Sequence, residues 1–156
     1  MLKKIRKIFI LKIIRFYHEQ FIFKLSGREK IFTKIYKNNY WGSTLSKSGP
    51  GSDLNNTIKI RKELPKIIKK FKIQSIFDAP CGDFFWMNKV LKKLKIFYLG
   101  GDIVSDLILL NKKKFESKNI KFIKLDLIKS KFPKSDLWIC RALLFHLDYK
   151  SIKKIF

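Results

Sequence analysis

Three aspartates stand at the ends of short apolar runs that have the composition of buried strands. Asp78 closes the run SIF, Asp102 closes the run IFYLGG, and Asp126 closes the run IKFIKL. After Asp78 the chain turns through Pro-Cys-Gly, and Gly82 is the place in that turn where a ligand can lie against bare backbone. A carboxylate beside such a turn favours a ligand that carries an amine or a sulfonium over one that carries a phosphate.

The spacing of the first two aspartates points to a nucleoside. Asp102 follows Asp78 by 24 positions, which is the separation of consecutive strands in a βαβ unit whose acidic residue binds ribose hydroxyls. A carboxylate at that strand end can accept both hydroxyl hydrogens. The alternative interpretation is a surface aspartate that precedes a helix.

Strands and helices alternate in the second half of the chain. Strands are predicted over 75–78, 96–103, 120–127 and 136–140, and helices over 85–94, over 105–115 with Ser105 as cap, and after Asp148. This alternation predicts an α/β fold with a parallel sheet, whose loops gather at the carboxyl ends of the strands.

Two helices are predicted before the sheet. The first covers about 29–36, and the second begins at a cap on Ser52 or Asp53 and runs to about residue 71. Pro65 is expected to bend this second helix or divide it in two.

The run DAPCGD (78–83) resembles the first motif of the class I S-adenosylmethionine-dependent methyltransferases, an acidic residue followed by G-x-G-x-G. Gly82 matches the central glycine, whereas Pro80 and Phe84 stand where the first and third usually are. Together with Trp41-Gly42 and CRALLFHL, the run resembles a bacterial subgroup of this superfamily over roughly residues 30–150.

The resemblance implies a Rossmann-like fold and S-adenosylmethionine as cofactor. The family's sheet has the strand order 3-2-1-4-5-7-6, so this chain is expected to be its N-terminal part, with strands 1–4 and flanking helices. We expect either a truncated piece of a longer gene or a sheet that another chain completes.

The resemblance also implies which residues bind the cofactor. Asp78 and Gly82 would hold the methionine part, Asp102 the ribose and Asp126 the adenine amine, with Leu127 offering its N–H to the ring; a turn-forming Asp126 is the alternative. The full predicted set is Asp78, Ala79, Pro80, Cys81, Gly82, Asp83, Asp102, Ile103, Asp126, Leu127 and Arg141.

Two residues after the fourth strand are the candidates for catalysis. His146 is the predicted general base because its ordinary pKa lies near neutrality, and the alternative is a ring that packs under the next helix. Arg141 would orient an anionic substrate group or pair with a carboxylate. Neighbouring family members carry an acid where this chain has Ala142, which leaves an inactive remnant as an alternative.

The resemblance implies oxygen on a sugar or other small metabolite as the methyl acceptor, and the absence of an N-P-P-Y-type motif after the fourth strand agrees with this. The loop STLSKSGPGSDL, which follows Trp41, is either a connector or a lid over cofactor and substrate, with Trp41 and Ser48 as its predicted contacts.

The formal net charge is +24, and 31 of the 36 basic residues are lysines. Joint enrichment in Lys, Ile and Phe favours an AT-rich genome as the cause, although a nucleic-acid-directed methyltransferase or RNA-binding protein would also use such a surface. The basic, partly apolar residues 1–25 predict either a helix that packs on protein or peripheral contact with a membrane.

Three segments are predicted: a basic N-terminal helix over 1–28, a cap or lid segment with a scaffold helix over 29–74, and the partial cofactor-binding domain over 75–156. Two cysteines, Cys81 and Cys140, and no secretory signal favour a reducing cytoplasm. No metal site is predicted, because His18 and His146 lack any ligand spacing.

Overall fold

A computed structural model describes residues 27–92 and 94–156. The predicted helix within residues 1–28 therefore lies almost wholly outside the described residues. The helices are α1 (Arg28–Lys37), α2 (Ile58–Lys70), α3 (Met87–Leu91), α4 (Ser105–Phe115) and α5 (Tyr149–Ile152). The strands are β1 (Ser75–Asp78), β2 (Phe97–Asp102), β3 (Ile120–Lys124) and β4 (Leu137–Ile139). No helix in this part of the chain is long and apolar enough to cross a membrane.

The four strands form one parallel sheet with the order β3-β2-β1-β4. Asp78 lies opposite Gly100 of β2 and Ile139 of β4, and Asp102 lies opposite Lys124 of β3. The carboxyl ends of all four strands thus meet at one edge. The predicted α/β, Rossmann-like arrangement is confirmed.

Side chains alternate between the two faces of the sheet, as strand geometry requires. On one face Ile76, Tyr98 and Phe122 pack with α2 and α3. On the other face Phe77 packs with residues that follow β3, and Trp138 of β4 joins them. Both faces of the sheet therefore carry a core, and the residues of β4, the outermost strand on its side, are partly buried in these cores.

Phe84 anchors the turn after β1 in the first of these cores. It is almost fully buried, and its ring centroid lies 4.9 Å from that of Tyr98 and 5.1 Å from that of Phe122. Its φ of 59° is in the left-handed region, which disfavours side chains with a Cβ. Packing of the ring therefore stabilises a backbone conformation that the residue would otherwise avoid.

The left-handed backbone at Phe84 predicts that the usual order of stability of an alanine and a glycine variant is reversed at this position. Phe84→Ala and Phe84→Gly both lose the ring, but only glycine relieves the left-handed conformation. We expect the glycine variant to be more stable than the alanine variant by about 1 kcal/mol, the reverse of the usual preference. Urea denaturation of the two variants measures the difference. A glycine variant less stable than the alanine variant would show that the backbone at this position is not strained.

Four predictions about the helices are wrong. The second helix begins at Ile58, because Asp53 accepts hydrogen bonds from the Ser43 hydroxyl and the Ser46 N–H instead of capping it. Pro65 lies inside that helix, which is not divided. The helix after the glycine turn covers only Met87–Leu91. Ser105 is the first helical residue rather than the cap, and its hydroxyl donates to Glu29.

Candidate functional site

A cleft lies at the carboxyl edge of the sheet, below α1 and beside the serine-rich loop. Its empty volume is about 760 Å³, including its open mouth. Most of the residues predicted for the site line this cleft: Trp41, Ser48, Asp78, Pro80, Cys81, Gly82, Asp102, Ile103, Arg141 and His146. A smaller cleft adjoins it and contains Asp126 and Leu127, with Asp102 and Ile103 in the wall that both share. Ala79 and Asp83 line neither.

The turn at Gly82 is fixed from three sides. Its φ is +55°, and a Cβ at this position would lie 2.3 Å from the hydroxyl oxygen of Ser48. The Gly82 N–H donates to Asp102 Oδ2 at 3.1 Å, and the Gly82 carbonyl accepts from Asn111 Nδ2 at 2.8 Å. Glycine is required here mainly by the close approach of Ser48, which leaves no room for a Cβ, and the left-handed backbone also favours it.

The buried carboxylate of Asp102 can accept more hydrogen bonds than the protein donates to it. Oδ2 accepts from Gly82 N–H and Oδ1 accepts from Val104 N–H at 3.0 Å. A carboxylate offers about four lone-pair positions, so about two remain for hydroxyl hydrogens of a ligand. Burial raises the pKa of Asp102 to about 6, while the nearby backbone N–H groups of Val104, Gly82 and Ile103 act in the opposite direction.

Asp78 is buried more deeply, at 2% exposure. Among the described residues, the one hydrogen-bond partner of its carboxylate is the Tyr98 hydroxyl, which donates to Oδ2 at 2.8 Å. Burial raises the pKa of Asp78 to about 7, and the nearby Asp102 charge adds to the increase. A cationic ligand in the cleft would favour the ionised form of this carboxyl.

The raised pKa of Asp78 predicts a change in stability. Because the folded-state pKa lies above the ordinary value, the stabilisation is present in acid and is lost as the pH rises through about 7. Asp78→Asn keeps an acceptor for Tyr98 and cannot ionise. Between pH 5 and pH 8 we expect ionisation of Asp78 to lower the free energy of unfolding of the wild type by about 2 kcal/mol. The Asp78→Asn variant should not show this decrease. Urea denaturation at the two pH values measures it, and parallel pH dependences would contradict the burial of a charge here.

The serine-rich loop is bonded to the glycine turn through Asp83. The Ser46 hydroxyl lies 3.0 Å from each oxygen of the Asp83 carboxylate, and the Lys47 N–H donates to Oδ2 at 2.9 Å. In return the Asp83 N–H donates to Ser48 Oγ at 2.8 Å. Asp83 thus faces the loop, and its role in cofactor binding stays a prediction.

Arg141 joins the segment after β4 to the same loop. Its Nη2 donates to the Gly51 carbonyl at 2.6 Å, and the guanidinium carbon lies 5.7 Å from the centre of the Trp86 ring. Next to it, Ala142 has a left-handed φ of 58° and also lines the cleft. Arg141 is the only Lys or Arg among the described residues that line the main cleft.

His146 lies among aromatic rings at the mouth of the cleft. Its ring centroid is 5.8 Å from that of Trp41, 6.2 Å from that of Phe32 and 4.4 Å from that of Phe145. Partial burial lowers the pKa of His146, although the residue as a whole remains exposed. The imidazole is therefore largely neutral at pH 7 and able to accept a proton.

Asp126 lies on the turn after β3 in the smaller cleft. Oδ2 lies 3.3 Å from Arg28 Nη2, and Oδ1 accepts from the Ile128 N–H at 3.0 Å. Leu127 is buried beside it. Arg28 and Phe32 of α1 thus cover this end of the site.

The sequence interpretation missed several residues that build the site. Tyr98 bonds the Asp78 carboxyl, Asn111 bonds the glycine turn, and Ser46 bonds Asp83. Asn111 left a local signal, because it is a polar residue on the buried face of an apolar helix. Trp86, Phe32 and Tyr36 carried none beyond their aromatic character. Within residues 27–92 and 94–156 no group of three or more His, Cys, Asp or Glu side chains is placed to hold a metal ion.

Solved structures that resemble this chain include the following two. The methyltransferase domain of bacterial CtHen1 has a TM-score of 0.56 and 17% identity, over 66% of this chain and 58% of that chain. The PH0226 protein from Pyrococcus horikoshii OT3 has a TM-score of 0.52 and 21% identity, over 68% of this chain and 52% of that chain. The chain therefore spans little more than half the length of either.

No protein-family model matches the sequence, and no curated protein is significantly similar to it. The similarity to known proteins is one of structure, and the strand order of the sheet corresponds to strands 3-2-1-4 of the fold that the motif resemblance implies. The chain has the fold of the class I methyltransferases.

Proposed function

We propose that the chain binds S-adenosylmethionine in the two joined clefts and methylates a hydroxyl oxygen of a small molecule. The observation that carries the proposal is the placement of Asp78 and Asp102 at the tips of adjacent parallel strands, with Gly82 in the turn after the first strand, on the wall of one cleft. This is where ligands bind in open α/β sheets. The methyltransferase fold of the chain supports it.

The residues present fit the parts of such a cofactor. Asp78 suits its positive charge, because an opposite charge offsets the cost of ionising a buried carboxyl. The two unused lone-pair positions of Asp102 suit the two ribose hydroxyls. Asp126 and Leu127 line the adjoining cleft, where a flat base would lie between Leu127 and α1. When bound, S-adenosylmethionine supplies a methyl group already activated for transfer.

The chain would contribute positioning and a base. Holding the acceptor oxygen in line with the methyl group at about 3 Å can lower the barrier by roughly 7–11 kcal/mol. The neutral imidazole of His146, on the wall of the main cleft, would accept the hydroxyl proton as the new oxygen–carbon bond forms. Trp41 beside it would orient the imidazole by packing.

The lining of the cleft favours a small acceptor. Trp41, Trp86 and Phe32 present aromatic surface at its wall, and a sugar or another small ring packs its apolar face against such surfaces. The serine-rich loop is bonded to Asp83 and contributes Ser48 and Ser52 to the lining of the cleft. We infer that it acts as the lid over both ligands.

A methyl-transfer assay tests this function. The full chain is incubated with S-adenosylmethionine that carries a labelled methyl group, and with a panel of hydroxylated small molecules or with RNA and DNA. We expect label on a small molecule, with a rate about 100-fold lower in His146→Ala. Label on nucleic acid alone would favour the nucleic-acid-directed alternative, and cofactor binding without transfer to any acceptor would indicate an inactive remnant.

A further inference from the structure

The backbone N–H groups of the glycine turn are already occupied by side chains. Gly82 N–H donates to Asp102, and Asp83 N–H donates to Ser48 Oγ. In an open turn these two groups would be free to bind an anionic part of a ligand. Here any such group must be bound by something else.

Ser48 offers the replacement. Its oxygen accepts from Asp83 N–H, and no described residue accepts the hydrogen of its own hydroxyl. Ser48 lines the main cleft, so this hydrogen is available to a ligand there. A hydroxyl that accepts one hydrogen bond also becomes a better donor, because successive hydrogen bonds polarise one another.

Arg141 brings positive charge to the same cleft. One of its five N–H donors is used by the Gly51 carbonyl, three residues along the loop from Ser48. The loop therefore holds both groups: Ser48 belongs to it, and Gly51 fixes Arg141. The opposite charge needed for an ammonium group is at Asp78, on the strand side of the cleft.

We propose that Ser48 and Arg141 form a binding site for the carboxylate of the amino-acid part of the ligand, so that the loop recognises a zwitterion whose ammonium faces Asp78. This inference rests on the proposed function and adds the means by which the site selects ligands. A ligand with the same adenosyl group but without the carboxylate would bind Asp78 and Asp102 and lose the contact with the loop.

Calorimetric titration with two ligands tests the proposal. S-adenosylhomocysteine carries the carboxylate, and its decarboxylated analogue keeps the amine. We expect the wild type to bind the first at least tenfold more tightly, which is the size of effect of a hydrogen bond to a charged group. Ser48→Ala and Arg141→Gln should each lower the affinity for S-adenosylhomocysteine about tenfold and change the affinity for the analogue less than twofold.

Asn56→Ala is the matched control. Asn56 donates to the Pro50 carbonyl of the same loop but lines neither cleft, so its loss should change both affinities by the same factor. If Ser48→Ala lowered the affinity for both ligands by the same factor, as a poorly folded variant would, the proposal would be overturned. Equal affinities of the wild type for the two ligands would also overturn it. Failure of the wild type to bind either ligand would instead refute the proposed function.

Discussion

Asp102→Asn is expected to weaken binding of S-adenosylmethionine about 100-fold or more. The carboxylate accepts from two backbone N–H groups and has capacity left for the two ribose hydroxyls. An asparagine amide has only one oxygen, so it cannot accept all of these hydrogens, and hydrogen bonds to a charged group contribute about 1.5–3 kcal/mol each. Titration calorimetry at pH 8 measures the affinities.

Asp136→Asn provides the control for this loss. Its carboxylate accepts from the N–H groups of Gln74 and Ser75 at the opposite end of β1. The variant therefore loses a comparable set of backbone hydrogen bonds far from the cleft, and its affinity for S-adenosylmethionine should stay within about twofold of the wild type. Similar losses in both variants would indicate that Asp102 acts only by holding the fold.

Binding of S-adenosylmethionine is expected to weaken about 1,000-fold between pH 8 and pH 5. Both buried carboxyls must be ionised to bind the ligand as proposed, and their pKa values are raised to about 7 for Asp78 and about 6 for Asp102. Each proton that must be lost lowers the affinity about tenfold per pH unit below the pKa of its group. Affinity should therefore rise with pH and level off above about pH 7.5.

Two variants show how much of the pH dependence of the affinity comes from Asp78 and how much from Asp102. Asp78→Asn should bind weakly at every pH and retain only the smaller change, about tenfold, that belongs to Asp102. Tyr98→Phe removes the hydroxyl that stabilises the ionised Asp78. The pKa of Asp78 should rise further in this variant, so the fall in affinity should begin at a higher pH. An affinity independent of pH between 5 and 8 would exclude both carboxyls from the binding site.

The parts of the site that were predictable from the sequence are those encoded locally. The ends of β1 and β2 were predicted at Asp78 and within one residue of Asp102, because an apolar run and the turn that stops it are adjacent in the chain. Asp126 was placed on the end of a strand, whereas β3 ends at Lys124. The last hydrogen bond between β3 and β2 runs from the Leu125 N–H to the Asp102 carbonyl, and the chain then leaves the sheet in a turn that begins at Asp126.

Contacts between distant segments were not predictable in this way. Ser46 and Asp83 are 37 residues apart, and Ser48 contacts the N–H of the same aspartate. Nothing in the composition of a serine-rich loop says which turn it will bond. Asp53 was predicted as a helix cap from its local position, but Ser43 and Ser46 engage its carboxylate within the loop. Side chains that can serve several partners are thus assigned only once the fold brings those partners together.

The most direct test of the binding site is a calorimetric titration of the full chain with S-adenosylmethionine at pH 8, where Asp78 and Asp102 are ionised. We expect saturable binding of one molecule per chain, competed by S-adenosylhomocysteine and about 100-fold weaker in Asp102→Asn. Absence of binding at millimolar ligand, or an affinity that Asp102→Asn leaves unchanged, would contradict the assignment of these carboxylates to a cofactor site.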